Sequence, residues 1–316
     1  MSENALRFNL KAWPMPRNDD PLSRALAYLR AAPPDPHRPV LLAGPTASGK
    51  SALALPLAQS QRRVIINADA LQVYAMWQIL TARPGAAELK AVPHLLYGVV
   101  ARGQDWSVGH WLRAVTALLE RHPNPVIIGG TGLYFRALTE GLVEIPEVPA
   151  TIRAQADARL GRDGLGALVQ DLDAPTRAQI DLANPARVQR AWEVLQATGQ
   201  GLAAWQAQTP PPVLPLAQTT ALVLRPPVDW LNTRIDLRFD AMMEAGALNE
   251  VRAALPHWDA RAPWARAIGA PELVAHLQGH ISLSEAVSAA TLATRQYAKR
   301  QRTWFRNRLK HWQDPG

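Results

Sequence analysis

The sequence predicts an α/β protein: a parallel β-sheet covered by helices on both faces, with a helical insertion set into it. Three observations predict this. Residues 44–51 read Gly44-Pro45-Thr46-Ala47-Ser48-Gly49-Lys50-Ser51 directly after the apolar run Val40–Ala43, a G-x-x-x-x-G-K-[ST] phosphate cradle with a strand before it and a helix after it. Downstream, short unbroken apolar runs alternate with helical stretches, the pattern of strands buried on both faces. Between Ile145 and Pro215 the pattern turns helical, fenced by Pro146 and Pro149 at one end and Pro210-Pro211-Pro212 at the other. The core is therefore expected to be P-loop NTPase-like.

Element by element, residues 1–39 read as an N-terminal extension of low functional content, with one short helix at Leu22–Ala32. The core domain is expected over 40–145 and 219–316, and the helical insertion domain over 146–218. Within the core, strands are expected at Val40–Ala43, Val64–Ala68, Leu95–Val100, Val126–Gly130 and Ala221–Leu224. Pro56 falls inside the helix after the cradle, where it removes one backbone bond and should bend the helix. Ligands of such sheets bind beyond the carboxyl ends of the strands, where Gly44–Ser51, Asp69 and Thr131 would project.

Composition narrows the class. At 316 residues the chain is long enough for a sizeable core. It has no cysteine, which excludes disulfides and thiolate metal sites. No apolar run approaches the roughly 20 residues that span a bilayer. The start MSENALRFNL lacks the blocks of a secretory signal, so a cytoplasmic location is the default expectation. A net charge of +8 points to a polyanionic partner, nucleic acid ahead of an anionic membrane. Eleven tryptophans against four phenylalanines offer faces on which bases could stack.

The cradle binds a diphosphate or triphosphate: its glycines turn the backbone tightly and aim N–H groups at phosphate oxygens. Lys50 adds a full positive charge, and Ser51 offers a hydroxyl to Mg²⁺. This leaves kinases, ATPases, GTPases and some transferases open. The strand Val126–Ile128 runs into Gly129-Gly130-Thr131-Gly132 and carries no acid to hold Mg²⁺. The acid is instead Asp69, on the second strand, which suits a base beside an acceptor and argues for group transfer over hydrolysis. Asp69 could also be a helix cap or a surface carboxylate, and Thr131 a turn residue. Tyr134 and Phe135 read as core in preference to base-stacking.

Beyond the cradle, six further blocks carry a resemblance: Asp69–Tyr74, Thr81-Ala82-Arg83-Pro84, Pro93-His94-Leu95, Gly129–Phe135, Arg187-Val188-Gln189-Arg190-Ala191 and Thr294–Gln301. With Ala267-Ile268-Gly269 they stand in the order found in bacterial tRNA dimethylallyltransferases, which this chain resembles from about Val40 onward. The resemblance implies transfer of a dimethylallyl group from dimethylallyl diphosphate to N6 of adenosine 37 of tRNA, with pyrophosphate leaving. It implies that the cradle and Arg234 hold the diphosphate and that Asp69 accepts the N6 proton. It places Asp69, Ala70, Leu71, Gln72 and Thr131 along the RNA near the reacting centre, with Gln72 beside the target adenine. It assigns further tRNA contacts to Arg153, Arg187 and Arg190.

Thr291–Trp312 contains no acid and carries Arg295, Lys299, Arg302, Arg306 and Lys310 at helical spacing. A stripe of one sign reads as a phosphate track with steep salt dependence, Trp304, Phe305, Leu309 and Trp312 packing the helix down. A solvated face is the alternative. The chain departs from the family pattern at Gln78, Leu80, Gly98, Ala186, Ala270 and Pro271, which bear on loop shape and local RNA contacts more than on the reaction. Rival readings are an adenylate isopentenyltransferase using free AMP, a small-molecule kinase, and an RNA-binding protein with a vestigial loop. A monomer is expected, since tRNA supplies the large interface.

Overall fold

The computed structural model describes residues 20–316, so residues 1–19 of the 1–39 extension lie outside the described residues. In chain order the elements are α1 (Pro21–Ala31), β1 (Val40–Ala43), α2 (Lys50–Ser60), β2 (Ile65–Asn67), α3 (Ala86–Ala91), β3 (His94–Leu95), α4 (Val108–Arg121), β4 (Val126–Gly129) and α5 (Gly132–Glu140). There follow α6 (Ala150–Asp163), α7 (Leu165–Asp171), α8 (Ala174–Gln179), α9 (Pro185–Thr198) and α10 (Leu202–Gln206). The last elements are β5 (Thr220–Val223), α11 (Val228–Glu244), α12 (Ala247–Ala254), α13 (Ala270–Leu277) and α14 (Leu283–Arg308). No helix among the described residues is long and apolar enough to cross a membrane.

The described chain divides into two compact units, residues 20–136 with 214–316, and Ala137–Val213. The first holds a five-stranded parallel sheet of order β3-β2-β4-β1-β5. Val40, Leu42, Ile65, Val126, Ile128 and Leu222 pack on one face with α1 and α2, while Leu41, Ile66 and Ile127 on the opposite face are equally buried. Both faces are thus covered, as the unbroken apolar runs require. β3 is shorter than the Leu95–Val100 strand the sequence suggests. Leu96 and Gly98 both take left-handed φ, at 63° and 62°, which ends the extended run after Leu95. α2 runs through Pro56 from Lys50 to Ser60.

Residues 20–39 are more than an appendage. Leu22, Ala25 and Leu29 of α1 are buried against the sheet core, so the extension reading is corrected for this stretch.

The second unit is entirely helical, with Ala156, Leu168, Leu172, Val188, Ala191 and Trp192 as its core. The Asp171 carboxylate accepts from Trp192 Nε1 at 2.8 Å and Arg159 Nη2 at 2.9 Å. Asp173 and Asn184 cap α8 and α9 by accepting from Thr176 N and Arg187 N. It begins earlier and ends sooner than 146–218: Gly141 packs so closely on Pro210 that a Cβ there would stand 2.2 Å from the Pro210 carbonyl oxygen.

Candidate active site

β1 delivers the chain into the cradle, where Ala47 takes φ 61° and Gly49 φ 92° before α2 begins at Lys50. Those left-handed positions turn the backbone back on itself, and Gly49 tolerates this at no steric cost. The Lys50 ammonium donates to the carbonyls of Gly44 at 2.9 Å and Pro45 at 2.8 Å. Burial lowers its pKa from 10.5 to about 7, against the opposing pull of Asp69, with Arg238 adding to the drop. A charge so poorly solvated is poised to gain from an incoming anion.

The cradle faces a cavity of about 430 Å³. Thr46–Ser51 line it, as do Asp69, Leu71, Gln72, Arg83, Arg234 and Arg238. Arg234 donates to Ala47 O at 2.9 Å and lies over the Trp230 ring at 4.4 Å. Its pKa falls to about 10, chiefly from burial and partly offset by Asp20, so it remains cationic at neutral pH. Burial also lowers the Arg238 pKa, while Asp69 and Glu88 pull it back up. Lys50, Arg83, Arg234 and Arg238 therefore share the cavity with the carboxylates of Glu88 and of Asp69, which is partly exposed just past the end of β2. Leu80, Phe239, Met242 and Ile268 supply an apolar part of the wall.

Asp69 is held from both directions. Buried Asn67 accepts from its N–H at 2.8 Å and donates to its carbonyl at 3.0 Å. Asp69 Oδ1 accepts from Leu71 N at 2.9 Å, an Asx turn that fixes the carboxylate. Thr131 Oγ1 accepts from Ala70 N at 2.9 Å, and Thr131 N donates to Ala68 O. Thr131 thus braces the Asp69 turn and is not part of the cavity wall among the described residues. Gln72 lines the cavity and donates to the carbonyls of Thr81 and Ala82, tying down the 81–84 segment.

The glycines of Gly129-Gly130-Thr131-Gly132 have a steric cause. A Cβ on Gly129 would stand 2.0 Å from Ala68 O, on Gly130 2.2 Å from Gln301 Nε2, and on Gly132 2.2 Å from the Trp304 ring. The β4 end is therefore pressed between the Asp69 strand and α14. Tyr134 and Phe135 are buried, Tyr134 stacking on Trp111 at 4.4 Å, so both are core as expected.

The basic stripe on α14 is broken at both ends. Arg295 is paired with Asp236 on α11 at 2.6 Å, and Lys310 lies past the helix end at Arg308. Lys299 and Arg306 are exposed and Arg302 half-buried, with Phe305, Leu309 and Trp312 buried beneath. In the helical unit, Arg153 on α6 and Arg187 and Arg190 on α9 are exposed. Arg153 is near enough to Arg190 to lower its pKa, although burial lowers it more and Glu193, 3.9 Å away, raises it.

The family departures find local explanations. Glu250 accepts from the N–H groups of Gln78, Ile79 and Leu80, and Gln78 Nε2 donates to the carbonyls of Arg83 and Pro84. Charge-assisted bonds of this kind contribute roughly 1.5–3 kcal/mol each. Leu80 and Ala270 are buried, and a Cβ on Gly98 would collide with the Arg83 guanidinium. Ala186 and Pro271 are exposed near helix starts.

Gln301, Tyr297 and Arg238 are site residues that sequence reasoning missed. Gln301 and Tyr297 stand in the Thr294–Gln301 block; their spacing of four marked a shared face. Their neighbours were read only as a surface track.

A family described as IPP transferase matches residues 72–308, and one described as Isopentenyl transferase matches 38–97. The tRNA dimethylallyltransferase of Cereibacter sphaeroides is 64% identical over 292 residues, 92% of each chain. That of Dinoroseobacter shibae is 63% identical over 279 residues, 87% of this chain and 93% of the relative. A full-length tRNA isopentenylpyrophosphate transferase from Bacillus halodurans superposes with a TM-score of 0.62 at 30% identity, over 88% of this chain and 90% of that one. A eukaryotic dimethylallyltransferase acting on tRNA shares the fold, with a TM-score of 0.72 at 24% identity over 84% of this chain and 69% of that one.

Proposed function

Because the chain belongs to the IPP transferase family and acts as a tRNA prenyltransferase, we propose how its residues divide the reaction: dimethylallyl diphosphate in the cradle, and N6 of adenosine 37 brought to Asp69. What supports this reading is that Lys50 and Asp69 line one cavity, with Arg234 and Arg238 on the same wall. The allylic C1–O bond breaks as the N6–C1 bond forms, pyrophosphate leaves, and the N6 proton passes to the Asp69 carboxylate. Lys50 and the cradle amides take up the charge that develops on the leaving group. Adenine N6 is a weak nucleophile because its lone pair is delocalised, so a positioned base is worth about 10²–10⁴-fold.

The adenosine must leave its stack to enter the cavity, which costs less in a single-stranded anticodon loop than in a duplex. Lys299 and Arg302 in the first unit, and Arg153, Arg187 and Arg190 in the helical one, would each neutralise RNA phosphates. Mg²⁺ would be held by the Ser51 hydroxyl, which lines the cavity wall in the cradle. When bound, it would neutralise the leaving pyrophosphate.

The test is incubation with dimethylallyl diphosphate and an anticodon stem-loop bearing adenosine 37, read by mass. A five-carbon gain on the RNA is expected. Gain on free AMP alone, ATP turnover with a hydroxyl acceptor, or RNA binding without product would each overturn the assignment.

A further inference from the structure

We propose that Gln301 is a positioning residue that fixes the distance between the leaving-group cradle and the proton-accepting carboxylate; this rests on the reading above. Gln301 sits on α14, yet its side chain points inward and is 5% exposed. Its Oε1 accepts from Thr46 N of the cradle at 2.8 Å, and its Nε2 donates to Gly130 O at the end of β4 at 3.0 Å. One amide thus ties the phosphate-binding loop to the loop that braces Asp69 through Thr131.

Two neighbours show how crowded this tie is. A Cβ added to Gly130 would stand 2.2 Å from Gln301 Nε2 and 3.2 Å from Asp69 Oδ2, so amide and carboxylate border the same small volume. One turn back, Tyr297 lines the cavity; burial, reinforced by the Asp69 charge, raises its pKa and keeps the phenol protonated, while the nearby Thr131 and Gln301 side chains pull the other way.

Displacement at C1 needs the attacking nitrogen about 3–3.5 Å away and in line, and a misplacement of 1 Å can cost about 10²-fold. The cradle sets where C1 lies, and the Asp69 turn sets where N6 lies. The Gln301 side chain bonds the cradle directly at Thr46 N and, at Gly130 O, the loop that braces the Asp69 turn through Thr131. Loss of the tie should therefore lower kcat while leaving the binding of either substrate alone nearly intact. A merely structural role would lower stability and RNA affinity instead.

The experiment compares Gln301→Ala, Gln301→Glu, Gly130→Ala and the double variant Gln301→Ala/Gly130→Ala with the wild type, measuring kcat, both KM values, stem-loop Kd and Tm. Gln301→Ala is expected to lose about 10²-fold in kcat, with KM and Kd within about threefold. Gln301→Glu keeps the volume and the acceptor for Thr46 N but loses the donor to Gly130 O, and should show a similar kcat loss. Gly130→Ala should reproduce that loss by displacing the amide, and the double variant should be no worse than either single one. Should Gln301→Ala prove too unstable to assay, Gln301→Glu decides the matter alone. The proposal is overturned if kcat stays within about threefold of wild type, if the loss lies in KM or Kd, or if the two single losses multiply. An inactive wild type would instead sink the reaction assignment, and this inference with it.

Discussion

The two compact units hold their functional side chains in opposite ways. Around the cavity, Asp69 is fixed by Asn67 and its Asx turn, Lys50 is seated on two carbonyls, and Gly130 leaves the space that the Gln301 amide fills. In the helical unit, Arg153, Arg187 and Arg190 stand exposed on α6 and α9, where the cap at Asn184 orders the helix and leaves the cations outward. The difference follows from the two tasks. Moving a carbon from oxygen to nitrogen tolerates little positional error, whereas neutralising a polyphosphate chain needs charge of the right sign in roughly the right place.

That contrast can be broken most sharply at Asp69. Asp69→Ala is expected to cut transfer by about 10²–10⁴-fold while stem-loop affinity, from a filter-binding titration, stays within a few-fold. Parallel losses in both would mean that the carboxylate serves RNA binding and that the division is false.

Lys50 gives the next effect. Its pKa of about 7 lies below the unfolded value of 10.5, so the free protein progressively loses this charge as pH rises through 7. A bound diphosphate favours the ammonium and must raise that pKa. Binding of dimethylallyl diphosphate at pH 8 should therefore take up close to one proton, and its affinity should fall by up to about tenfold per pH unit above 7. Calorimetry in two buffers of different ionisation enthalpy measures the uptake; no proton exchange would show Lys50 to be already charged.

On the RNA-facing surfaces the effects are smaller and graded. Replacing Lys299 and Arg302 together by Ala should reduce the slope of log affinity against log salt by about two. Arg295→Ala should change it less than Lys299→Ala, because Asp236 already neutralises Arg295. Arg187→Ala should weaken stem-loop binding uniformly across sequences and reduce the slope by about one. A sequence-dependent loss at Arg187 would show geometry-critical recognition in the helical unit too.

Much of the cavity region was legible because strict geometry writes strict residues. Gly44–Ser51 and Gly129–Gly132 are glycine-rich where a Cβ would collide, and the apolar runs at Val40–Ala43 and Val126–Ile128 are buried strands as the pattern suggests. Asp69 was readable as the one acid placed at a strand end. What escaped were groups defined by tertiary contact. The truncation of β3 depends on the left-handed Leu96, which no local rule demands of a leucine. The Arg295–Asp236 pair joins helices 59 residues apart, and periodicity counted Arg295 among the free cations. Gln301 was masked by its charged neighbours, since a polar residue on a basic helix reads as surface until its burial is seen. α1 went unvalued because its apolar positions find their partners only on the folded sheet.

α14 makes inner and outer duties inseparable. At 3.6 residues per turn, adding or removing one residue rotates everything beyond it by about 100°. A single-codon insertion between Tyr297 and Gln301 would thus swing the amide toward solvent and turn a charged side chain in upon the two loops. Length in this stretch is as tightly constrained as residue type, and substitution should be the only route by which the RNA-facing side of the helix can drift.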